Sequence, residues 1–219
     1  FVHPKEGHQF AKATEKTRTF WVNGQKAEGI RNTDGSQVQV NYTFTFPAAK
    51  PGAGVAVTGK VTSYNPNNPT TVELLQNGVV KYTATIAKAT GSGQVTQDFS
   101  FKSVPKGTYD LVVTKDAHLP YTVKNVVVGN TALDLTKHSN AAISTITLLC
   151  GDINGDSWIN SSDLSVVLQG QNYGKQTTVA GVNGKADLNG DGWVNSSDLS
   201  IVLQGQHYGK STVTVDFAE

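Results

Sequence analysis

The sequence has a single cysteine, no methionine and few charged residues, which make up 16% of its 219 positions. The lone Cys150 excludes an internal disulfide framework and any zinc cluster built from several cysteines. A formal net charge of +1 does not suit a general binder of nucleic acids. No apolar run approaches the roughly 18–20 residues that a membrane-spanning helix requires.

The length favours two domains over one. The chain begins at Phe1 and shows no charged start followed by an apolar core. We therefore expect it to be a piece of a longer protein, with any secretion signal removed or outside the piece.

The distribution of charge is more informative than its sum. Residues 1–150 hold 15 Lys and Arg against 9 Asp and Glu, whereas residues 151–219 hold 3 against 8. This change predicts a domain boundary at Cys150–Gly151. Because clustered carboxylates repel one another, the acidic segment also predicts a bound cation.

The acidic segment contains an internal repeat, in which residues 151–175 and 186–210 align at an offset of 35 with 19 of 25 positions identical. Each copy carries D-x-N-x-D-x-x-x-N-x-x-D. This is the spacing of a twelve-residue calcium loop, with side-chain ligands at positions 1, 3, 5, 9 and 12 and a backbone carbonyl at position 7. The pattern predicts two Ca²⁺ ions, held by Asp152, Asn154, Asp156, Trp158, Asn160 and Asp163 in the first loop and by Asp187, Asn189, Asp191, Trp193, Asn195 and Asp198 in the second.

A metal-free pair of turns is the competing interpretation, because Asp, Asn and Gly are ordinary turn formers. Both loops depart from the usual pattern in having Asp rather than Glu at position 12. Position 6 is Gly192 in the second loop but Ser157 in the first. Since this position usually has a positive φ, which costs a non-glycine residue about 1 kcal/mol, we expect the first loop to be the more strained.

A short helix is predicted after each loop, starting at Ser161-Ser162-Asp163 and at Ser196-Ser197-Asp198. The segment Ile143–Leu149, before the first loop, predicts a strand instead. A loop with only an exiting helix argues against a calmodulin-like sensor, which needs helices on both sides.

The duplicated loop and exiting helix, with N-S-S-D-L at the end of each loop, resemble a dockerin over residues 151 to about 210. Dockerins are calcium-dependent modules that plug proteins into cohesins on the scaffolds of cellulosome-type assemblies. The resemblance implies a cohesin domain of a scaffolding protein as partner. It also implies a secreted, extracellular protein, attached to the cell surface through the scaffold and engaged in polysaccharide degradation.

By the same resemblance, partner choice lies at loop positions 10 and 11 and at helix positions 17, 18 and 22, which are identical in the two copies. This identity implies dual-mode binding, in which the module turns around to present either copy. The predicted contacts are Ser161, Ser162, Leu168, Gln169 and Tyr173 in the first copy and Ser196, Ser197, Leu203, Gln204 and Tyr208 in the second. The alternatives are that the leucines are core residues, that the serines only cap helices, and that the tyrosines clasp the other repeat.

The first 150 residues predict short strands separated by turns, as in an antiparallel sandwich of the immunoglobulin or transthyretin kind. Asn77-Gly78 predicts a two-residue hairpin turn. The predicted strands lie at Val38–Phe46, Val55–Val61, Val72–Leu75, Val79–Ile86, Phe99–Phe101, Tyr109–Val113 and Tyr121–Val128.

The stretch from Val55 to Leu149 resembles the carboxypeptidase regulatory-like sandwich, through V-x-G-x-V at 57–61 and F-x-F-x-x-V-P-x-G-x-Y-x-L-x-V at 99–113. That resemblance implies a non-catalytic accessory, like the X-modules that precede dockerins and stabilise them. The predicted fold is therefore a mainly β sandwich at residues 51–149 followed by a small α dockerin at 150–219. Residues 1–50 are lead-in strands, either part of the sandwich or the end of an upstream module. The tail at 211–217 alternates and packs on the dockerin or on its neighbour.

No catalytic constellation is evident, so we expect no enzyme within this piece. It has no G-x-S-x-G elbow. His3 and His8 suggest either a metal site or solvated histidines, and His118 and His138 have no obvious nucleophile partner. Cys150 is expected to be buried rather than reactive. Trp21, Tyr42 and Tyr64 suggest either a sugar platform or core residues. The competing functions are a calcium-stabilised structural or adhesive module and a carbohydrate-binding sandwich, neither with a cohesin partner.

Overall fold

The structure is a computed structural model that describes residues 54–218 in full and only the backbone of residues 17–22, 25–31 and 38–39. The chain forms two compact units, Phe1–Lys50 and Pro51–Glu219. In the first unit, β1 (Thr17–Val22), β2 (Gln25–Arg31) and β3 (Val38–Gln39) form an antiparallel three-stranded sheet. The strand predicted at Val38–Phe46 is therefore described only at its first two residues, and the rest of it lies outside the described residues.

The second unit holds the elements that position the candidate site. Single turns of 3₁₀ helix at Leu135–Lys137 and Gly184–Ala186 complete it. In chain order the elements are β4 (Val55–Tyr64), β5 (Thr70–Gln76), β6 (Val79–Ile86), β7 (Gln94–Val104), β8 (Gly107–Thr114), β9 (Tyr121–Val128), β10 (Leu133–Asp134), α1 (Ala141–Ser144), β11 (Ile146–Thr147), β12 (Trp158–Ile159), α2 (Ser161–Leu168), β13 (Lys175–Gln176), β14 (Trp193–Val194), α3 (Ser196–Val202), β15 (Lys210–Ser211) and β16 (Val213–Asp216).

Two sheets share one hydrophobic core and form the predicted sandwich. In one sheet β4 pairs with β7 in antiparallel fashion and with the short β10 and β11 in parallel. The other sheet has the order β16-β9-β8-β5-β6. Side chains alternate between core and solvent, as in β8, where Tyr109, Leu111 and Val113 are buried. A mainly β sandwich followed by a small α part is confirmed.

The hairpin between β5 and β6 is also confirmed. Asn77 and Gly78 have φ values of 53° and 75°, so both central residues of the turn are left-handed. This conformation matches the twist of the flanking strands, and Asn and Gly are the residues that adopt it at least cost.

The strand predicted at Ile143–Leu149 is wrong for most of its length. The Asn140 side chain accepts a hydrogen bond from the Ala142 amide at 2.9 Å and begins the single turn α1. Only Ile146 and Thr147 pair with β4. Because Ile143, Ile146 and Leu148 are all buried, the apolar pattern there reports burial against the sandwich and not a continuous strand.

The C-terminal tail returns to the sandwich, the neighbour of the repeat segment. β16 lies parallel to β9, and Val213, Val215 and Phe217 pack against the sandwich core. This decides between the two places expected for the tail. The sandwich thus contains β11, which precedes the repeat in the chain, and β16, which follows it. The repeat is therefore attached to the sandwich at both ends.

A second hydrophobic core lies within the repeat segment and extends into the sandwich. Leu119, from the turn after β8, is 1% exposed in this core beside Cys150, which is 0% exposed. The Gly151 amide donates to the Ala117 carbonyl at 2.8 Å, and the Leu119 amide donates to the Leu149 carbonyl at 2.8 Å. The junction therefore has no free linker. No helix among the described residues is long and apolar enough to cross a membrane.

Candidate metal centres and docking surface

Short strands pair between the two copies of the repeat, in a reciprocal arrangement with pseudo-two-fold symmetry. β12, from the first loop, pairs with β15 beyond the second helix. β14, from the second loop, pairs with β13 beyond the first helix. Neither loop has its partner strand within its own repeat, because that strand comes from the other copy. This mutual pairing explains why the module contains two copies.

In the first loop the carboxylates at positions 1 and 12 organise the backbone. Asp152 accepts hydrogen bonds from the amides of Gly155 at 2.9 Å and Ser157 at 3.1 Å. Asp163 accepts from three amides, those of Ile153 at 2.8 Å, Asn154 at 3.2 Å and Asn160 at 2.9 Å.

The second loop repeats this geometry. Asp187 accepts from the amides of Gly190 and Gly192, each at 2.9 Å. Asp198 accepts from the amides of Leu188 at 2.7 Å, Asn189 at 3.2 Å and Asn195 at 2.9 Å. The aspartates at positions 1 and 12 therefore determine the fold of each loop, because their carboxylates accept hydrogen bonds from its backbone amides.

These four carboxylates are buried without a cationic partner. Asp163 and Asp198 are 0% exposed, while Asp152 and Asp187 are 6% and 7% exposed. Among the described residues no ion pair joins any of them to Lys or Arg. Burial raises the pKa values of Asp152, Asp187 and Asp198, although hydrogen bonds from backbone amides oppose this rise; neighbouring carboxylates add to it. A divalent cation would remove this penalty.

The donor set fits calcium, although across residues 54–218 no three His, Cys, Asp or Glu side chains form a ready-made cage. The reason is that the aspartates are turned toward backbone amides, and that Asn154 donates to Asp156 at 2.8 Å, as Asn189 does to Asp191 at 2.9 Å. The side chains at positions 1, 3, 5, 9 and 12 present only oxygen-bearing groups, which is the chemistry that Ca²⁺ prefers.

The backbone at position 6 agrees with the expected strain. Ser157 has a φ of 70° and Gly192 a φ of 90°. Both lie in the left-handed region, where a serine is disfavoured and a glycine is not. The first loop therefore carries the strained residue, as predicted.

Sequence reasoning missed that the asparagines at position 9 begin the helices. Asn160 accepts from the Ser162 amide at 2.7 Å, and Asn195 accepts from the Ser197 amide at 2.7 Å. Each pairs with the aspartate three residues later in a capping box. The N-x-x-D spacing is typical of a capping box, but the same residues are assigned as calcium ligands at positions 9 and 12.

The predicted docking residues lie on the surface in both copies. Leu168 and Leu203 are 54% and 53% exposed, and Tyr173 and Tyr208 are 40% and 38% exposed. All four predicted serines are exposed as well. The leucines are therefore not core residues, a role that belongs to their neighbours Val167 and Val202 at 0% exposure.

Only one docking position differs between the copies. Gln169 is exposed, whereas Gln204 is half-buried and donates to the Tyr64 hydroxyl at 3.2 Å. The ring of Tyr64 also packs edge-on against His207, with centroids 5.9 Å apart. Tyr64 thus belongs to the junction, while the side chains of Trp21 and Tyr42 lie outside the described residues, as do His3 and His8.

A second residue pair that the sequence did not single out is Asn172 and His207, equivalent in the repeat and both 0% exposed. Asn172 donates to the Val166 carbonyl at 2.7 Å and accepts from the Asn183 amide at 2.9 Å. His207 Nδ1 donates to the Ile201 carbonyl at 2.8 Å, but no described residue forms a hydrogen bond with its Nε2. Burial lowers the pKa of His207, which keeps the ring neutral.

The remaining polar candidates are structural. His118 is 5% exposed and accepts from the Tyr64 amide at 3.1 Å, and burial lowers its pKa to about 3. His138 contacts the Phe217 carbonyl at 3.0 Å. Burial raises the pKa of the Cys150 thiol, so the prediction of a buried rather than reactive cysteine is confirmed.

Comparison with known proteins agrees with this architecture. Residues 150–204 match the family model described as the dockerin type I domain. The chain is similar to two crystal structures of type II cohesin–X-dockerin complexes from Acetivibrio cellulolyticus, one an N-terminal and the other a C-terminal interface mutant. The TM-scores are 0.54 and 0.53, with 24% identity over 73% of this chain and 98% of each matched chain.

No curated protein sequence matches the chain. The family match confirms the prediction of a dockerin at residues 150–204, and the preceding sandwich shares its fold with the matched X-dockerin chains. Dockerin type I domains bind calcium, which agrees with a calcium-binding segment at residues 150–204.

Proposed function

We propose that this chain is a calcium-dependent docking unit that attaches a larger secreted protein to a cohesin domain of an extracellular scaffold. The observation that carries the proposal is the pairing of two buried carboxylate loops with two helices whose outer faces are exposed. Calcium would fix each loop, and each loop would fix the start of its helix. The parent protein would thereby join a polysaccharide-degrading assembly, attached to the cell surface through the scaffold.

Two calcium ions would be held, one by each loop. Side-chain oxygens at positions 1, 3, 5, 9 and 12 and the backbone carbonyls of Trp158 and Trp193 would surround them. Because the carboxylates at positions 1 and 12 are buried without a cationic partner, calcium binding would increase the free energy of unfolding and not only order the loops.

The cohesin would contact the exposed serines, leucines and tyrosines of one copy at a time. The equal exposure of Leu168 and Leu203, and of Tyr173 and Tyr208, supports two docking modes related by the pseudo-two-fold relation. An apolar and hydroxyl-rich face with aromatic anchors suits a desolvated protein interface. The sandwich would act as an accessory that stabilises the repeat segment through the second hydrophobic core and the hydrogen bonds at the junction.

The calcium requirement can be tested by titrating a panel of cohesins with the full chain in Ca²⁺ and in EDTA. We expect at least one cohesin to bind in Ca²⁺ and none in EDTA. Unchanged binding in EDTA would contradict the calcium requirement. A folded, calcium-loaded chain that ignores every cohesin would favour the structural or adhesive role instead.

The two docking modes can be tested with Leu168→Asp, Leu203→Asp and the double variant. Each single variant should lose only one of two equivalent modes, whereas the double variant should lose binding. Ser165→Ala with Ser200→Ala is the matched control, because each of these exposed serines donates to a carbonyl of its own helix. Loss of all binding in one single variant would show that a single mode operates.

A further inference from the structure

Among residues 54–218, hydrogen bonds join the second loop to the sandwich, whereas none joins the first loop to it. Asn65 Nδ2 donates to the Asp187 carbonyl at 2.9 Å, and Asn67 Nδ2 donates to the Gly190 carbonyl at 2.7 Å. The Gly93 amide donates to the Asn189 carbonyl at 2.6 Å. Three carbonyls, at positions 1, 3 and 4 of the loop, are thus fixed by groups from outside the repeat. We name Asn65, Asn67 and Gly93 the clamp.

The clamp is a built feature and not a chance contact. Asn65 is 8% exposed, has a φ of 54°, and accepts from the Asn67 amide at 3.2 Å. Its own amide donates to the Gly93 carbonyl at 3.0 Å, which ties the turn after β4 to the turn before β7. Asparagine adopts the left-handed conformation more readily than most residues, and these two hydrogen bonds hold Asn65 in it.

The first loop has no such support. Its corresponding carbonyls, those of Asp152, Asn154 and Gly155, accept nothing from the clamp. A Cβ built on Gly155 would meet nothing within 4 Å, whereas one on Gly190 would come within 2.5 Å of Asn65 Oδ1. The first loop also contains Ser157 in the left-handed region. Two loops of nearly the same sequence therefore stand in different surroundings.

The clamp leaves the predicted calcium ligands free. It occupies backbone carbonyls at positions 1, 3 and 4, while the backbone ligand of this loop type is the carbonyl at position 7. Fixing the backbone before the ion arrives reduces the conformational entropy that binding must otherwise remove. The effect should therefore raise calcium affinity at the second loop alone.

We propose that Asn65, Asn67 and Gly93 of the sandwich act as positioning groups for the second calcium loop, so that the two sites are unequal. The second site fills first and retains its ion as free calcium falls, whereas the first site responds to calcium over a higher concentration range. This rests on the proposed function only in requiring that both loops bind calcium, and it makes no use of a cohesin.

The test uses the full chain and isothermal titration calorimetry with Ca²⁺. Asp156→Ala, at an exposed predicted ligand, leaves only the second site, and Asp191→Ala leaves only the first. Adding Asn65→Ala should weaken calcium binding about tenfold where only the second site remains, since hydrogen bonds to the loop are lost. The same change should leave the affinity within about twofold where only the first site remains.

Asn125→Ala is the matched control, because Asn125 is also a left-handed asparagine, with a φ of 59°, but bonds to Asp216 within the sandwich. It should change neither affinity. Should Asn65→Ala unfold the sandwich, Asn67→Ala replaces it, since Asn67 is exposed; it should weaken the second site about threefold.

An Asn65→Ala or Asn67→Ala variant that weakens both sites equally, or neither, overturns the clamp. Absence of calcium binding at both loops in the unaltered chain would overturn the proposed function itself, and is seen before any variant is made. If these variants weaken only the second site but no cohesin binds the calcium-loaded chain, the clamp is supported and the docking role is rejected.

Discussion

The two copies of the repeat have nearly the same sequence but different surroundings. The loop of the first copy is exposed at Asn154, Gly155 and Asp156 and is separated from the sandwich by an open cleft. Its helix end is closed by Asn172, which accepts from the Asn183 amide in the segment between the copies. The second copy packs its loop against Asn65 and its helix end against Tyr64. Identity of sequence therefore produced the same local fold twice, whereas the sandwich made the two copies unequal.

The largest difference should appear when the aspartate at position 12 is removed. Asp163→Ala and Asp198→Ala each leave three amides, one buried and two partly buried, without their acceptor and destroy a capping box, which should cost about 3 kcal/mol or more of unfolding free energy. Because the clamp still holds the second loop, Asp198→Ala should be the milder. Urea unfolding in saturating calcium measures both, and a milder Asp163→Ala would reverse the comparison.

An exchange of Asn172 and His207 is the next largest test. Asn172→His should cost about 1–2 kcal/mol, because an imidazole that donates to the Val166 carbonyl loses the acceptor for the Asn183 amide. His207→Asn should cost less, since an asparagine can still donate to the Ile201 carbonyl and removes the unpartnered Nε2. Thermal unfolding of both variants checks this order, and equal costs would contradict it.

Glycine and serine can be exchanged at position 6 with opposite effects. Ser157→Gly should raise the stability of the calcium-loaded chain by about 1 kcal/mol, because it relieves a left-handed serine. Gly192→Ser should lower it by about the same amount. Denaturation in excess calcium gives both values. If Ser157→Gly has no effect, the left-handed serine costs no more than the extra conformational entropy that a glycine loses on folding.

The smallest effect is expected at the exposed ion pair between Lys185, just before the second loop, and Asp116 in the sandwich. Its atoms lie 3.1 Å apart, but the side chains are 54% and 60% exposed. Lys185→Ala should therefore change the unfolding free energy by less than about 0.5 kcal/mol. A larger loss, which disappears in high salt, would show that this pair helps to hold the second copy.

Much of the candidate site could be predicted because its information is local. Ligand spacing, the left-handed position 6 and the start of each helix all depend on residues within twelve positions of one another. The number of ions and the ligand set remain predictions for calorimetry to test. The sandwich could be predicted for a similar reason, since alternation and the Asn77-Gly78 turn act over a few residues.

Long-range features could not be predicted. The exposure of Leu168 and Leu203 depends on which helix face meets the second core, and helical spacing alone allowed either. The single helical turn at α1 followed from Asn140, whose cap outweighed the β-branched pattern around Ile143. Contacts between Asn65 and Asp187 join residues far apart in the chain, with no periodicity to reveal them.

The sequence by itself determined that two oxygen-rich loops would each curl and start a helix, because the aspartates and their backbone amides lie within one loop. Only the tertiary structure decided which loop is supported, where the tail ends and which helix face remains free. Those outcomes depend on packing between segments that the chain brings together only when the sandwich and the second core form.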